Sequence, residues 1–168
     1  MPHRPLKAAA ALAAAVAAAF GPAPPHAAAH AEPPQSPAVQ AALQALRAQG
    51  LASDAPVLCS GNTWIVHNTI VAAVCIGKEE ESVGGGIFIV AGSLGNRSRR
   101  AIEGGIALYM GPQPNQLVHS CEQNVPPNRI VTCTSKELHH TYPAIGVGKF
   151  TNISRGGSET IHSPAYDS

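Results

Sequence analysis

The chain is poor in charge and in aromatic rings: 12% of its 168 residues are charged and 4% are Phe, Trp or Tyr. Asp54 and Asp167 are its two aspartates and Trp64 its one tryptophan. So few carboxylates leave little material for a Ser–His–Asp relay or for the paired acids of a glycosidase. Neither a G-x-S-x-G elbow nor an H-E-x-x-H helix occurs. Ser120 follows His119, but chain neighbours do not make a triad. Glu79-Glu80-Glu81 falls in an expected turn and reads as solvated charge, while Glu103 sits mid-strand, free to face water. Gly84-Gly85-Gly86 lacks the Lys-Ser/Thr and the helix start of a phosphate loop. No catalytic residue and no cofactor are assigned; whether the chain is an enzyme stays open, with the balance towards a non-enzyme.

Metal-ligand spacing is also missing. No C-x-x-C is present, so the four cysteines, Cys59, Cys75, Cys121 and Cys133, read as disulfide partners rather than thiolate ligands. His139-His140 is the tempting pair, yet adjacent side chains on a strand point to opposite faces and rarely share one ion. No metal site is expected.

Nor is there an apolar run long enough for a membrane span. The longest, from Ala8 to Phe20, has 13 residues where about 20 are needed. Behind His3, Arg4 and Lys7, and ahead of Ala29-His30-Ala31, it reads as a signal peptide over residues 1–31, cleaved near Ala31. Removing Arg4 and Lys7 leaves nine Lys/Arg against ten Asp/Glu, a net charge of −1. That balance argues against nucleic acid or an anionic membrane as partner, since both ask for a basic excess. The expected location is secreted and extracellular, which suits disulfides. An alanine-rich leader before a cysteine-paired domain also has the general look of small secreted bacterial proteins.

What is present is punctuation and short apolar segments. Residues 32–55 read as a proline-rich spacer and one amphipathic helix. Ser36 is its N-cap and Pro37 its first residue; Val39, Leu43 and Leu46 form its stripe, and Gly50 is its stop. Docking on its own domain is the expected fate of that stripe. From residue 56 to 166 the pattern is β, with strands expected over 63–67, 69–76, 86–91, 101–110, 116–121, 129–134 and 144–152, and a further one over 159–162. Turns are expected over 78–82, 92–98, 111–114, 126–128 and 155–157. The fold class is all-β: a small disulfide-stapled sandwich or barrel of seven to eight antiparallel strands preceded by one short helix, in a single domain.

The cysteine spacing has its own reading. Cys59 and Cys75 are symmetric about His67, and Cys121 and Cys133 about Pro127. Folding hairpins about those midpoints sets each pair opposite at a separation of roughly 4.5–5.5 Å, which a disulfide spans. Trp64 then faces Ile70. The alternative, Cys75 joined to Cys121 or Cys133 across two sheets, stays open, because four cysteines allow three connectivities.

Trp64, Tyr142 and Arg129 are the candidate binding residues. The two rings could display a platform, although most of the scarce aromatics are needed for a core. Arg129 could be the specificity residue of an inhibitory loop over residues 124–129. Arg97-Ser98-Arg99-Arg100 is a basic loop suited to an acidic ligand such as a sulfated glycan, or simply to solvent. Asn96 and Asn152 head glycosylation sequons. The expected role is a non-enzymatic extracellular binding protein for an unknown protein or glycan. A secreted inhibitor or toxin-like protein is the alternative, and a hydrolase with a site assembled from distant residues a third.

Overall fold

A computed structural model describes residues 35–111, 116–154 and 156–167. The expected signal peptide, residues 1–31, lies outside them, as does most of the turn expected over 111–114. One helix and ten strands are present among the described residues: α1 (Pro37–Ala48), β1 (Val57–Cys59), β2 (Thr63–Val66), β3 (Ile70–Ser82), β4 (Gly85–Asn96), β5 (Ile102–Met110), β6 (Gln116–Val125), β7 (Arg129–Thr134), β8 (Leu138–Thr141), β9 (Gly146–Asn152) and β10 (Ser158–His162).

All pairings are antiparallel, and they build two open sheets rather than a barrel. In the first, β3 and β4 are the long central strands; β1 and β2 share the outer edge of β3, and β7 and β8 share that of β4. The second sheet runs β10-β9-β5-β6. Strand alternation explains how they stack. Ile70, Ala72, Val74 and Ile76 of β3, with Phe88, Val90 and Leu94 of β4, face Ile106, Leu108 and Phe150 of the second sheet. The intervening Val71, Ala73, Cys75, Ile89 and Ala91 face the other way, onto α1. Burial on both faces is why the chain from Ile70 to Ile76 is an unbroken apolar run instead of an alternating one.

Helix α1 starts and stops as its sequence implies. The Ser36 hydroxyl accepts from the Val39 N–H at 3.3 Å, and Gly50 takes the left-handed conformation (φ 108°) that ends the helix. Its buried face is Ala38, Val39, Ala42 and Leu46, with Leu43 only partly covered. Small residues opposite (Ala73, Ala91) let the helix lie close on the sheet.

Both expected disulfides are present, but they are built differently. Cys59–Cys75 joins paired positions of β1 and β3, within one sheet. One residue is taken up between β1 and β2, so Trp64 faces Val71 and not Ile70. Cys121–Cys133 is no hairpin staple: β6 pairs with β5 and β7 with β4, so the bridge runs between the two sheets. Pro126 and Pro127 have no N–H to give to a hairpin ladder, and the chain crosses from sheet to sheet instead.

Three further expectations need correcting. Residues 78–82 are not a turn but the end of β3, which continues past a bulge between Lys78 and Glu80. The turn is at Val83-Gly84, Gly84 having φ 78°. Residues 92–96 are strand as well. Gly92 is there for space: a Cβ on it would sit 2.9 Å from Ile106 and 3.0 Å from Leu108 across the sandwich. Finally, β1 and β8 are short edge strands that no local signal announced, which raises the count from seven or eight to ten.

Candidate functional site

The antiparallel order puts unlike charges at opposite ends of the sandwich. One end carries the β2–β3 turn, the β4–β5 loop and the β6–β7 crossing, and with them His67, Arg97, Arg99, Arg100 and Arg129, with Glu103 among them. At the other end lie Asp54, Glu79, Glu80, Glu81, Glu137 and Asp167, with Lys78 and Lys136 among them. Partial burial, with the Glu137 carboxylate beside it, raises the Glu79 carboxyl above its ordinary value. Lys78 sits 3.5 Å from Glu81 and 5.6 Å from the centre of the Tyr166 ring.

At the basic end a groove of about 330 Å³ opens between α1 and the first sheet. Val71, Gly95 and Ile130 give it an apolar floor; Arg97, Asn128, Arg129 and Pro37, at the start of α1, also line it. Gly95 keeps the floor open, since a Cβ there would meet Val71 at 2.9 Å and Ile130 at 3.3 Å. The guanidinium of Arg97 lies 5.0 Å from the centre of the Trp64 ring, which holds a long side chain in place. The His67 ring lies 6.5 Å from the Trp64 ring, centre to centre.

The loop bearing Arg97 is anchored by Asn96. Buried to 1% exposure, its amide donates to the carbonyls of Arg100 (2.8 Å), Val125 (2.9 Å) and Pro126 (3.3 Å) and accepts from the Ser98 N–H (2.9 Å). One side chain therefore ties the β4–β5 loop to the β6–β7 crossing. Asn152 is equally buried. Both sequons head side chains inside the fold, where an oligosaccharide has no room.

The candidate binding residues divide. Trp64 packs against Arg97, which lines the same groove as Arg129. Tyr142 does not join them: it lies at the acidic end, with its hydroxyl 3.4 Å from Glu81 and its ring edge-on to Phe88 at 6.1 Å. Trp64 and Tyr142 are both half-buried, while Phe88 and Phe150 are the core aromatics. Of the six residues 124–129, only Pro126, Pro127 and Asn128 lie outside strands.

His139 and His140 fall on β8 and border a cavity of about 210 Å³ with the Gly84-Gly85-Gly86 run. His119 and Ser120 point to opposite faces of β6. Ser120 looks outward beside Glu122 and Lys149, and His119 lies beside the Cys121–Cys133 bridge. That last neighbour was missed in the sequence, although His119-Ser120-Cys121 on a strand already puts residues 119 and 121 on one face. Arg97 was readable as a basic loop residue, but its stacking on Trp64 joins segments 33 residues apart in number and has no local signal.

No protein-family model matches the chain, and no curated protein matches it.

Proposed function

We propose that the chain is a small secreted, non-enzymatic binding protein that takes an anionic extracellular ligand in the groove between α1 and Arg129. One observation carries this reading: Arg97 and Arg129 both line one apolar-floored groove, and the Arg97 guanidinium packs on Trp64. Fixing a guanidinium in advance lowers the entropy lost when it pairs with a carboxylate or sulfate. The start of α1, which also lines the groove at Pro37, adds partial positive charge. Arg99 and Arg100 extend the positive field beyond the groove, which suits a ligand carrying more than one anionic group.

Secretion is supported by the leader sequence and by two disulfides. No helix among the described residues is long and apolar enough to cross a membrane.

Binding of a sulfated glycan, its desulfated form and an acidic peptide by calorimetry, for the wild type and for Arg97→Ala/Arg129→Ala, tests the reading. The expected result is salt-dependent binding of the sulfated glycan, weakened roughly tenfold or more in the variant. Binding of the acidic peptide alone would make the partner a protein. Equal affinity in the variant, or no binding of any anionic probe, would overturn the site.

A further inference from the structure

We propose that His119, Cys121 and Cys133 form a second site, a two-thiolate, one-imidazole centre for Zn(II), that exists only when the Cys121–Cys133 disulfide is reduced. It is independent of the anionic-ligand groove. The imidazole nitrogen and the two sulfurs all lie within 4.8 Å of one another. A tetrahedral zinc ion, with bonds near 2.0 Å to nitrogen and 2.3 Å to sulfur, holds its ligand atoms roughly 3.5–3.8 Å apart. The imidazole nitrogen is therefore within about an ångström of that spacing, and the two sulfurs, bonded to one another here, would move apart on reduction to reach it. Two of them come from alternate positions of β6, and the third from β7 in the other sheet. The α-carbons of the two cysteines are 5.9 Å apart, so opening the bridge to thiolates bound on one ion needs little backbone movement.

The burial gradient suits a site of this kind. Cys133 is buried, Cys121 half-buried and His119 exposed, so one side of the ion would be held in the protein and the fourth position would face water. While the disulfide is intact, both sulfurs are spent in it and the site does not exist. Disulfide and metal are mutually exclusive ties between the same two strands. Oxidation converts one into the other: the two bound thiolates lose two electrons and form the S–S bond, a small-molecule disulfide accepts those electrons and leaves as two thiolates, and the zinc ion departs. Reduction by a dithiol runs the exchange backwards. The centre thus gives the newly made, still reduced chain a way to hold its sheets together before the bridge closes.

Cobalt(II), followed by zinc(II), added to the full chain after phosphine reduction tests the proposal. One equivalent of cobalt should give tetrahedral visible absorption with a thiolate-to-cobalt charge-transfer band, and zinc should displace it. The oxidised chain should give no such band. His119→Ala, altering an exposed residue, should lower the affinity by roughly tenfold or more, and Cys121→Ser should abolish the charge-transfer band. Cys59→Ala/Cys75→Ala, after the same reduction, should keep it. If reduction unfolds the chain, recovery of the β circular-dichroism signal on adding zinc, in the wild type but not in His119→Ala, supports the site equally. No band and no recovery in the reduced wild type, a band that survives Cys121→Ser, or equal affinity in His119→Ala would overturn it.

Discussion

Cys121 and Cys133 are bonded to one another across the two sheets, with α-carbons 5.9 Å apart, although they stand 12 positions apart in the chain with a double proline between them. This bond is the covalent tie across the sandwich, whereas Cys59–Cys75 lies within one sheet. Replacing both Cys121 and Cys133 by Ala should cost about 3 kcal/mol, the loop-closure value for a crosslink of this span. Urea unfolding would read the loss as a lower midpoint. A cost below about 1 kcal/mol would mean that sheet packing alone holds the two layers.

Asn96 carries three donor contacts with backbone carbonyls from one buried amide. In Asn96→Ala those carbonyls lose their partner, at an expected cost of about 2 kcal/mol or more. Asn96→Asp should be at least as damaging near neutral pH, because a carboxylate has no proton to donate and faces three carbonyl oxygens. Urea midpoints for the two variants would check this order. An Asp variant more stable than the Ala variant would show that the donor contacts are not what matters.

Gly92 lies where β4 crosses Ile106, Leu108 and Phe150. Gly92→Ala should destabilise by about 1–3 kcal/mol, since its methyl group has nowhere to go in a packed interior. The change keeps an ordinary extended backbone, so a loss seen in thermal unfolding would be steric. A neutral result would mean the sheets can slide apart at this point.

Tyr166 gives the fold an alkaline limit. Burial pushes its hydroxyl from the ordinary 10.0 up to about 12, outweighing the backbone contact at Lys78 and the charge of Arg47, both of which act downward. The hydroxyl donates to the Pro56 carbonyl at 2.7 Å. A raised folded value means that the neutral form is favoured in the fold. Its contribution is therefore whole below pH 10 and lost as pH rises towards about 12. Tyr166→Phe should be less stable than the wild type by about 1 kcal/mol at pH 8 through the lost hydrogen bond, and that gap should shrink between pH 10 and 12. Urea midpoints at pH 8 and pH 11.5 would decide it (the upper point lies within that titration window). A constant gap would contradict the shift.

Much of the local structure was legible beforehand. Ser36, Pro37 and Gly50 mark the helix ends, and the symmetry of the cysteines about two midpoints favoured the pairing that is present. The second pairing was right for a geometry the chain does not use. A hairpin and a crossing between sheets both return the chain on itself over the same number of residues, so both bring residues 121 and 133 together. Glycine misled in the opposite direction. Gly92 and Gly95 look like turn residues but lie in a strand, where the side chains of other elements need their space.

The sequence by itself determined the class of the fold and the ends of helix α1, and it favoured one cysteine pairing without fixing it. These follow from backbone preferences and side-chain alternation acting over a few residues. Only the tertiary structure decided that β6 and β7 belong to different sheets, that Arg97 rests on Trp64 beside Arg129, and that His119 stands next to a disulfide. Each of those depends on which distant strands bury their apolar faces against one another. That choice belongs to the packed whole, and no short stretch of chain encodes it.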